Sequence, residues 1–328
     1  VERVRPPAST PGRGGSDGRH EDSVIHRDKD SQGDLFGGAV EGDGQADRAG
    51  AYDSSPAPPH LRPLGREGRI RVGTSGYSFA DWIGPFYPAG TSRGKMLDEY
   101  VRHFDVVEIN SSYYRVPTPQ MFERMESKTP AGFEFMVKLF RGMTHEIEDD
   151  PKMYREFVES VAPLKDADKF GGYLAQFPWK FKNSKDARAH LVGLRKRMGE
   201  APLFVEFRHD SWMEKDTFEF LRDLGVGYCS VDEPQLKGLL PPAVVATTDE
   251  GYVRLHGRNA RNWWGSGGGD RYDYDYNKNE LSEWANKMLD LESKVKKVYA
   301  FFNNCHAGHA ARNAELMIDM LSEELGPH

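Results

Sequence analysis

The sequence predicts an α/β protein, a single (β/α)8 barrel of the TIM type behind a disordered N-terminal arm. Three observations carry that prediction. From residue 70 onward, short β-branched or aromatic runs alternate with polar turns and with stretches whose apolar residues recur three and four apart. Eight such strands occur, all but the sixth followed by a helical stretch, which favours closure into a barrel over an open doubly wound sheet. Residues 1–69 differ in composition: they hold 12 Gly and 7 Pro, Phe36 and Tyr52 are their only aromatics, and they have no Trp, Met or Cys. Such a segment has too little apolar surface to pack a core.

In chain order, the arm at 1–69 leads into a first strand at 70–74 and a turn, Gly73-Thr74-Ser75-Gly76. That turn lacks the G-x-G-x-x-G spacing of a dinucleotide site, and no Walker lysine motif follows. A helix is expected at 93–103, then a strand at 105–109. Pro119 opens a helix at 119–127, the third strand is 134–138, and Pro151 opens a helix at 151–164; both prolines suit a first helical turn. The fourth unit pairs a strand at 172–176 with a helix at 185–198. The fifth pairs 203–207 with 215–224, and Asp210 or Ser211 is the expected cap. A sixth strand at 227–231 reaches the seventh, 251–256, through a connection that reads as loop. Helices at 280–291 and 309–325 flank the eighth strand, 298–302.

Composition bounds the function. The 328 residues carry a formal charge of −7, so neither arm nor barrel is a basic nucleic-acid coat. The two cysteines, Cys229 and Cys305, lack the spacing of a zinc ribbon or disulfide framework, which points to the cytoplasm. No run approaches the roughly 18 apolar residues of a membrane span, and export is not expected.

Barrels carry their chemistry at the C-terminal ends of the strands, so the two-residue strand period identifies the residues that face the mouth. Glu108 with Asn110, Lys138, Gln176, Glu206 with Arg208, Asp232, Arg254 with His256 and Arg258, and Asn303 share parity within their own strands. The plain reading is mutual neutralisation, since buried charges are tolerable only when paired. The functional reading is a ligand site, because so many ionisable groups at one end are costly and such cost gathers where chemistry is done.

The motifs resemble a known family. Val72-Gly-Thr-Ser-Gly-Tyr77 runs to Trp82 and Phe86-Tyr-Pro88, followed by Val107-Glu-Ile-Asn-Ser-Ser-Tyr-Tyr114 and Phe135-Met-Val-Lys138. Then come Thr144-His145, Gln176-Phe-Pro178, Val205-Glu-Phe-Arg-His-Asp-Ser-Trp212 and Val231-Asp232. Val253-Arg-Leu-His-Gly257, Phe302-Asn-Asn304, Gly308-His-Ala310 and Asn313 complete the set. Together they are similar to the domain-of-unknown-function 72, or YecE-like, family over nearly all of 70–325. The resemblance implies a TIM barrel loosely similar to endonuclease IV and sugar-isomerase barrels. It implies no established reaction and does not reach the arm, so function rests on the site.

Glu108, His145, Glu206, His209, Asp232 and His256 are of metal-ligand type, but Lys138, Arg208 and Arg254 stand among them. No cofactor is expected, with a divalent metal left open. Phosphate is the ligand class the residues favour. The loop from Arg258 to Arg271 combines cations with Trp263, Trp264 and glycines, and Asn303-Asn304 leads to a helix start at His309 that offers free N–H groups. Tyr113, Tyr114 and the tryptophans offer stacking faces.

Three readings follow. The first is an enzyme, a hydrolase in one form, on a phosphate-containing substrate such as nucleic acid or a nucleotide, with DNA-lesion processing included. Lys138, Arg208, Arg254 and Arg258 would place phosphate, Glu108, Glu206 or Asp232 would act as acid or base, and His256 would shuttle a proton near neutral pH. The second is a metal-free sugar hydrolase or isomerase using two carboxylates. The third is a barrel that binds nucleic acid without reacting. Protein partners are not readable from the sequence.

Overall fold

Eight parallel strands surround the core: β1 (Ile70–Thr74), β2 (Val106–Ile109), β3 (Glu134–Lys138), β4 (Phe170–Gln176), β5 (Leu203–Glu206), β6 (Gly227–Asp232), β7 (Glu250–Leu255) and β8 (Lys297–Phe302). The structure is a computed structural model and describes residues 64–264 and 269–324. The hydrogen-bonded order runs β1-β8-β7-β6-β5-β4-β3-β2. A single parallel bridge, Ser75 to Glu108, joins the two ends, so the sheet is a nearly closed barrel as the strand count predicts. At that seam Gly73 is required by contact, since a Cβ there would sit 2.3 Å from the Val106 carbonyl oxygen. The Gly-Thr-Ser-Gly turn therefore serves barrel closure.

The helices are α1 (Met96–Tyr100), α2 (Pro119–Glu126), α3 (Arg141–Thr144), α4 (Pro151–Ser160), α5 (Ala162–Asp166), α6 (Lys185–Met198), α7 (Lys215–Leu224), α8 (Lys278–Glu292) and α9 (His309–Ser322). Local chemistry sets their ends. Ser184 caps α6 by accepting from the Ala187 N–H, and Asn277 with Glu280 forms a capping box on α8. Gly225 stops α7 in the left-handed region at φ 64°.

Some boundaries differ from expectation. The 93–103 helix opens as a 3-10 turn, Arg93–Lys95, and closes at Tyr100. The 151–164 helix breaks at Val161, and Pro163 sits in the first turn of the next helix. Asp210 and Ser211 do not cap α7; they lie in a 3-10 turn whose His209 ring accepts from the Ser211 N–H. Residues 64–69, placed in the arm by composition, lie against α8. Leu64 is buried, and the Glu292 carboxylate accepts from the N–H groups of Arg66, Glu67 and Arg69. The rest of the expected disordered arm, 1–63, lies outside the described residues, as do Leu325 and the loop glycines at 265, 267 and 268.

Inside the barrel the lower layer is aromatic. Tyr252 packs against Phe204 with ring centroids 4.8 Å apart and against Phe301 at 5.2 Å, with Tyr299 beside them. The polar layer sits on this floor. Among the described residues, no helix is long and apolar enough to cross a membrane.

Candidate active site at the barrel mouth

The alternation of β2, β5 and β7 turns Glu108, Glu206 and Arg254 inward, where all three are fully buried. Arg254 spans the barrel: Nη2 donates to Glu108 Oε1 at 2.7 Å and Nη1 donates to Glu206 Oε2 at 2.6 Å. From the aromatic floor, the Tyr252 hydroxyl donates to Glu108 Oε2 at 2.7 Å. Burial works against the Arg254 charge, but Glu108 and Glu206 hold its pKa well above the ordinary value. Burial would raise Glu206, yet Arg208, Arg254 and His256 hold it well below the usual carboxylate range. This trio is an ion-pair clamp, so the pairing expected as the plain reading accounts for Glu108, Glu206 and Arg254. It also occupies the arginine that was expected to place phosphate.

Arg208, two residues beyond β5, donates from Nε to Glu206 Oε1 and from Nη1 to Glu233 Oε2 at 3.4 Å. Glu233 was missed in the sequence because it follows Asp232 where the strand ends and parity stops being informative. It is buried and accepts from the Leu240 N–H at 2.9 Å. Burial pushes its pKa up to about 8 against the opposing pull of Arg208, so at neutral pH it is largely the neutral acid.

His256 accepts at Nδ1 from the Asn303 amide at 2.9 Å, and its Nε2 lies 3.2 Å from Glu206 Oε1. Burial, with Arg208 adding to it, pushes its pKa down to about 3. Burial thus disfavours the charged imidazolium, and the ring is held between Asn303 and Glu206.

Asp232 and Arg258 form a separate pair. Arg258 donates through Nε and Nη2 to Asp232 and also meets Glu280 and Glu283, while the Tyr276 hydroxyl donates to Asp232 Oδ2 at 2.6 Å. Both residues are thereby committed to closing the loop after β7 onto α8. The phosphate role expected of Arg258 is met by three carboxylates of the protein itself.

Lys138, the last residue of β3, is 4% exposed, and its Nζ lies 4.7 Å over the Tyr113 ring. Burial, then the neighbouring Arg254 charge, pushes its pKa down to about 7 against the pull of Glu108 and Glu206. Tyr113 meets Tyr114 edge-on at 5.0 Å and His145 at 4.9 Å. Asn110 donates to the Ser75 carbonyl at 3.0 Å, and its buried Oδ1 has no hydrogen-bond partner among the described residues. The Gln176 amide is turned back onto the Phe177 carbonyl at 3.0 Å.

The two tryptophans after β7 separate. Trp263 is 2% exposed with Arg208 at 5.9 Å from its ring, whereas Trp264 is 48% exposed and meets Trp179 edge-on at 5.8 Å. Trp179 also carries Lys182 at 4.9 Å and packs on His209 at 4.9 Å. This rim was not anticipated; the signal available was Trp179 directly after the Gln176-Phe-Pro178 motif.

The expected anion site at the start of α9 is otherwise engaged. His309 lies 3.5 Å from Asp273 and 3.4 Å from Asp275, and the Ala307 N–H donates to Asp81 at 2.7 Å. Asn304 donates to Tyr274 O and Asn313 Oδ1, a clasp on the same loop. Asn304 and His309 therefore tie loops together, apart from the Arg208 and Lys138 group.

A metal does not fit this donor set. Glu108, Glu206 and Asp232 each face a guanidinium, and among the described residues no group of three or more His, Cys, Asp or Glu side chains is placed to hold an ion.

Comparison with known proteins adds a family. The sequence pattern described as "Protein of unknown function DUF72" matches residues 71–327. The UPF0759 protein YunF of Bacillus subtilis is 35% identical over 272 residues, 78% of this chain and 95% of that protein. The UPF0759 protein YecE of Escherichia coli O157:H7 is 29% identical over 139 residues, 42% of this chain and 50% of that protein. The crystal structure of a DUF72 family protein from Thermotoga maritima superposes with a TM-score of 0.73 at 40% identity, covering 77% of this chain and 99% of that one. A second DUF72 family structure, from Enterococcus faecalis, gives 0.69 at 27% identity, covering 79% and 97%.

Proposed function

The chain belongs to the DUF72 family, whose description names no reaction, and from its barrel mouth we propose an enzyme that acts on a phosphate-containing substrate, a nucleotide or nucleic-acid fragment. Arg208 meets the phosphate, Trp263 and the exposed Trp264 with Trp179 offer the stacking wall, and Glu233 serves as general acid. Lys138 lies deeper and faces the part of the substrate beyond the phosphate.

What supports this reading is the charge left after pairing. With Glu233 neutral, Glu108 and Glu206 stand against Arg254 and Arg208 in the inner layer, and Lys138, its pKa brought down to about 7, adds a partial positive charge. An anion entering such a low-dielectric site is attracted more strongly than at the surface. Lys182 over Trp179 extends the cationic and aromatic character to the rim. A neutral carboxyl beside an arginine is also an arrangement suited to giving a proton to a leaving oxygen.

The test is calorimetric titration of the full chain with AMP and with a single-stranded oligonucleotide across a salt series. Binding that weakens with salt and drops about tenfold or more in Arg208→Gln is expected, the loss of one charge-assisted contact being roughly 1.5–3 kcal/mol. No binding of either probe at millimolar concentration, or equal binding by the variant, overturns the reading.

A further inference from the structure

We propose that the Lys138 amine is a nucleophile that forms an imine with a phosphorylated aldehyde or ketone. The proposal rests on the phosphate-substrate reading and adds the group that reacts with the carbon skeleton.

The carboxylates around the lysine are all engaged elsewhere. Glu108 is taken by Arg254 and Tyr252, Glu206 by Arg254 and Arg208, Asp232 by Arg258 and Tyr276, and Glu233 by Arg208 and the Leu240 N–H. Lys138 Nζ has no hydrogen bond or ion pair among the described residues, only the face of Tyr113 at 4.7 Å. An ammonium needs three acceptors, and burying one without them is costly, whereas a neutral amine is tolerated. The same protein shows what a structural buried lysine looks like. Lys169, 5% exposed, donates from Nζ to Glu126 Oε1 at 2.8 Å, to Glu126 O at 2.9 Å and to Thr129 O at 2.8 Å.

Position agrees with reactivity. Lys138 ends β3 at the C-terminal end of the barrel, where such folds carry their chemistry. Burial and the adjacent Arg254 cation are the two ways a lysine is made nucleophilic. Brought down to about 7, its amine at pH 7 has a free fraction roughly a thousandfold above that of an ordinary lysine.

In the step itself the Nζ lone pair attacks the carbonyl carbon, and the π pair moves to oxygen, which takes a proton from solvent. Nitrogen loses a proton to give the neutral carbinolamine, whose hydroxyl then takes a second proton from solvent and leaves as water as the nitrogen lone pair forms the C=N bond of the protonated imine. No oxidant or reductant is needed. The imine cation occupies the place of the Lys138 ammonium, facing Glu108 and Glu206 from β2 and β5, with Arg254 and Arg208 as the opposing charges. It draws electrons from the neighbouring carbon and so weakens an adjacent C–H, C–C or C–O bond.

Two sources share this chemistry, a free sugar phosphate and an abasic nucleotide in a single strand, and separate probes distinguish them. The full chain is incubated at pH 7 with glyceraldehyde 3-phosphate, with an oligonucleotide containing one abasic site, or with unphosphorylated glyceraldehyde. Borohydride then reduces any imine to a stable amine, which peptide mass spectrometry maps. A phosphorylated probe is expected to label Lys138 about tenfold or more above exposed lysines such as Lys196, and the probe that succeeds names the source. Equal labelling by plain glyceraldehyde keeps the imine and refutes the phosphate reading. No enrichment at Lys138 with any probe overturns the proposal. A second measurement needs no variant and no substrate: competitive labelling with fluorodinitrobenzene should give Lys138 a midpoint near pH 7, and a midpoint above about 9 also overturns it.

Discussion

Replacing Arg254 by Met keeps much of its aliphatic length and removes the guanidinium that spans β2 and β5. Glu108 Oε1 and Glu206 Oε2, bonded to it at 2.7 and 2.6 Å, are then left in a fully buried layer. Glu206 retains Arg208, and Glu108 retains only the Tyr252 hydroxyl. Removing one partner of a buried pair costs about 3–5 kcal/mol, because the stranded charge cannot be rehydrated. For a domain of this size that is a fall in Tm of about 6–20 °C. Urea unfolding followed by far-UV circular dichroism measures it. The same loss should shrink as the pH falls, since protonation neutralises a carboxylate that has lost its counter-charge. Adding Glu108→Gln and Glu206→Gln to Arg254→Met should recover most of the stability. An Arg254→Met protein within about 0.5 kcal/mol of the original would refute the clamp, since that is the range of a surface substitution.

Glu233 gives a pH signature of its own. With its folded pKa raised to about 8, its contribution is present below the unfolded value near 4.3 and is lost as pH rises through about 8. Glu233→Gln should therefore gain stability relative to the original protein between pH 5 and pH 8, by a few kcal/mol in paired urea melts. Arg258→Ala should leave AMP affinity within about twofold, because its guanidinium is held by Asp232, Glu280 and Glu283, while costing about 1–3 kcal/mol of stability in a urea melt from the loss of Asp232's partner. Glu292→Ala should release 64–69 by removing the acceptor of three backbone N–H groups. Limited proteolysis should then cut near Arg66 several-fold faster, with about 1–3 kcal/mol lost.

The barrel was legible because its signal is local and repeated. Each strand announces itself by β-branched and aromatic residues, and each helix by its apolar spacing, so eight units could be counted without knowing which strands touch. Parity within a strand likewise placed Glu108, Glu206 and Arg254 on one face, where Arg254 meets both carboxylates. Who pairs with whom was not legible. Arg258 to Asp232 depends on neighbouring strand ends and on loop closure, and the acids that meet His309 at the α9 start come from a loop folding back at Asp273 and Asp275. Glu233 escaped because it lies one residue beyond the strand, and Glu292 because a helix C-terminus gives no hint that a distant segment will use its carboxylate. The unusual feature of Lys138 is that its Nζ meets a tyrosine face and no hydrogen-bond acceptor among the described residues, which shows only in three dimensions.

The most direct measurement for the account is a crystal structure of the protein with AMP at millimolar concentration. The account predicts a phosphate oxygen within hydrogen-bonding distance of Arg208, with the adenine against Trp263 or Trp264 and the ribose turned toward Lys138. AMP seated at the start of α9 or on Arg258, with the Arg208 pocket filled only by water, would contradict it.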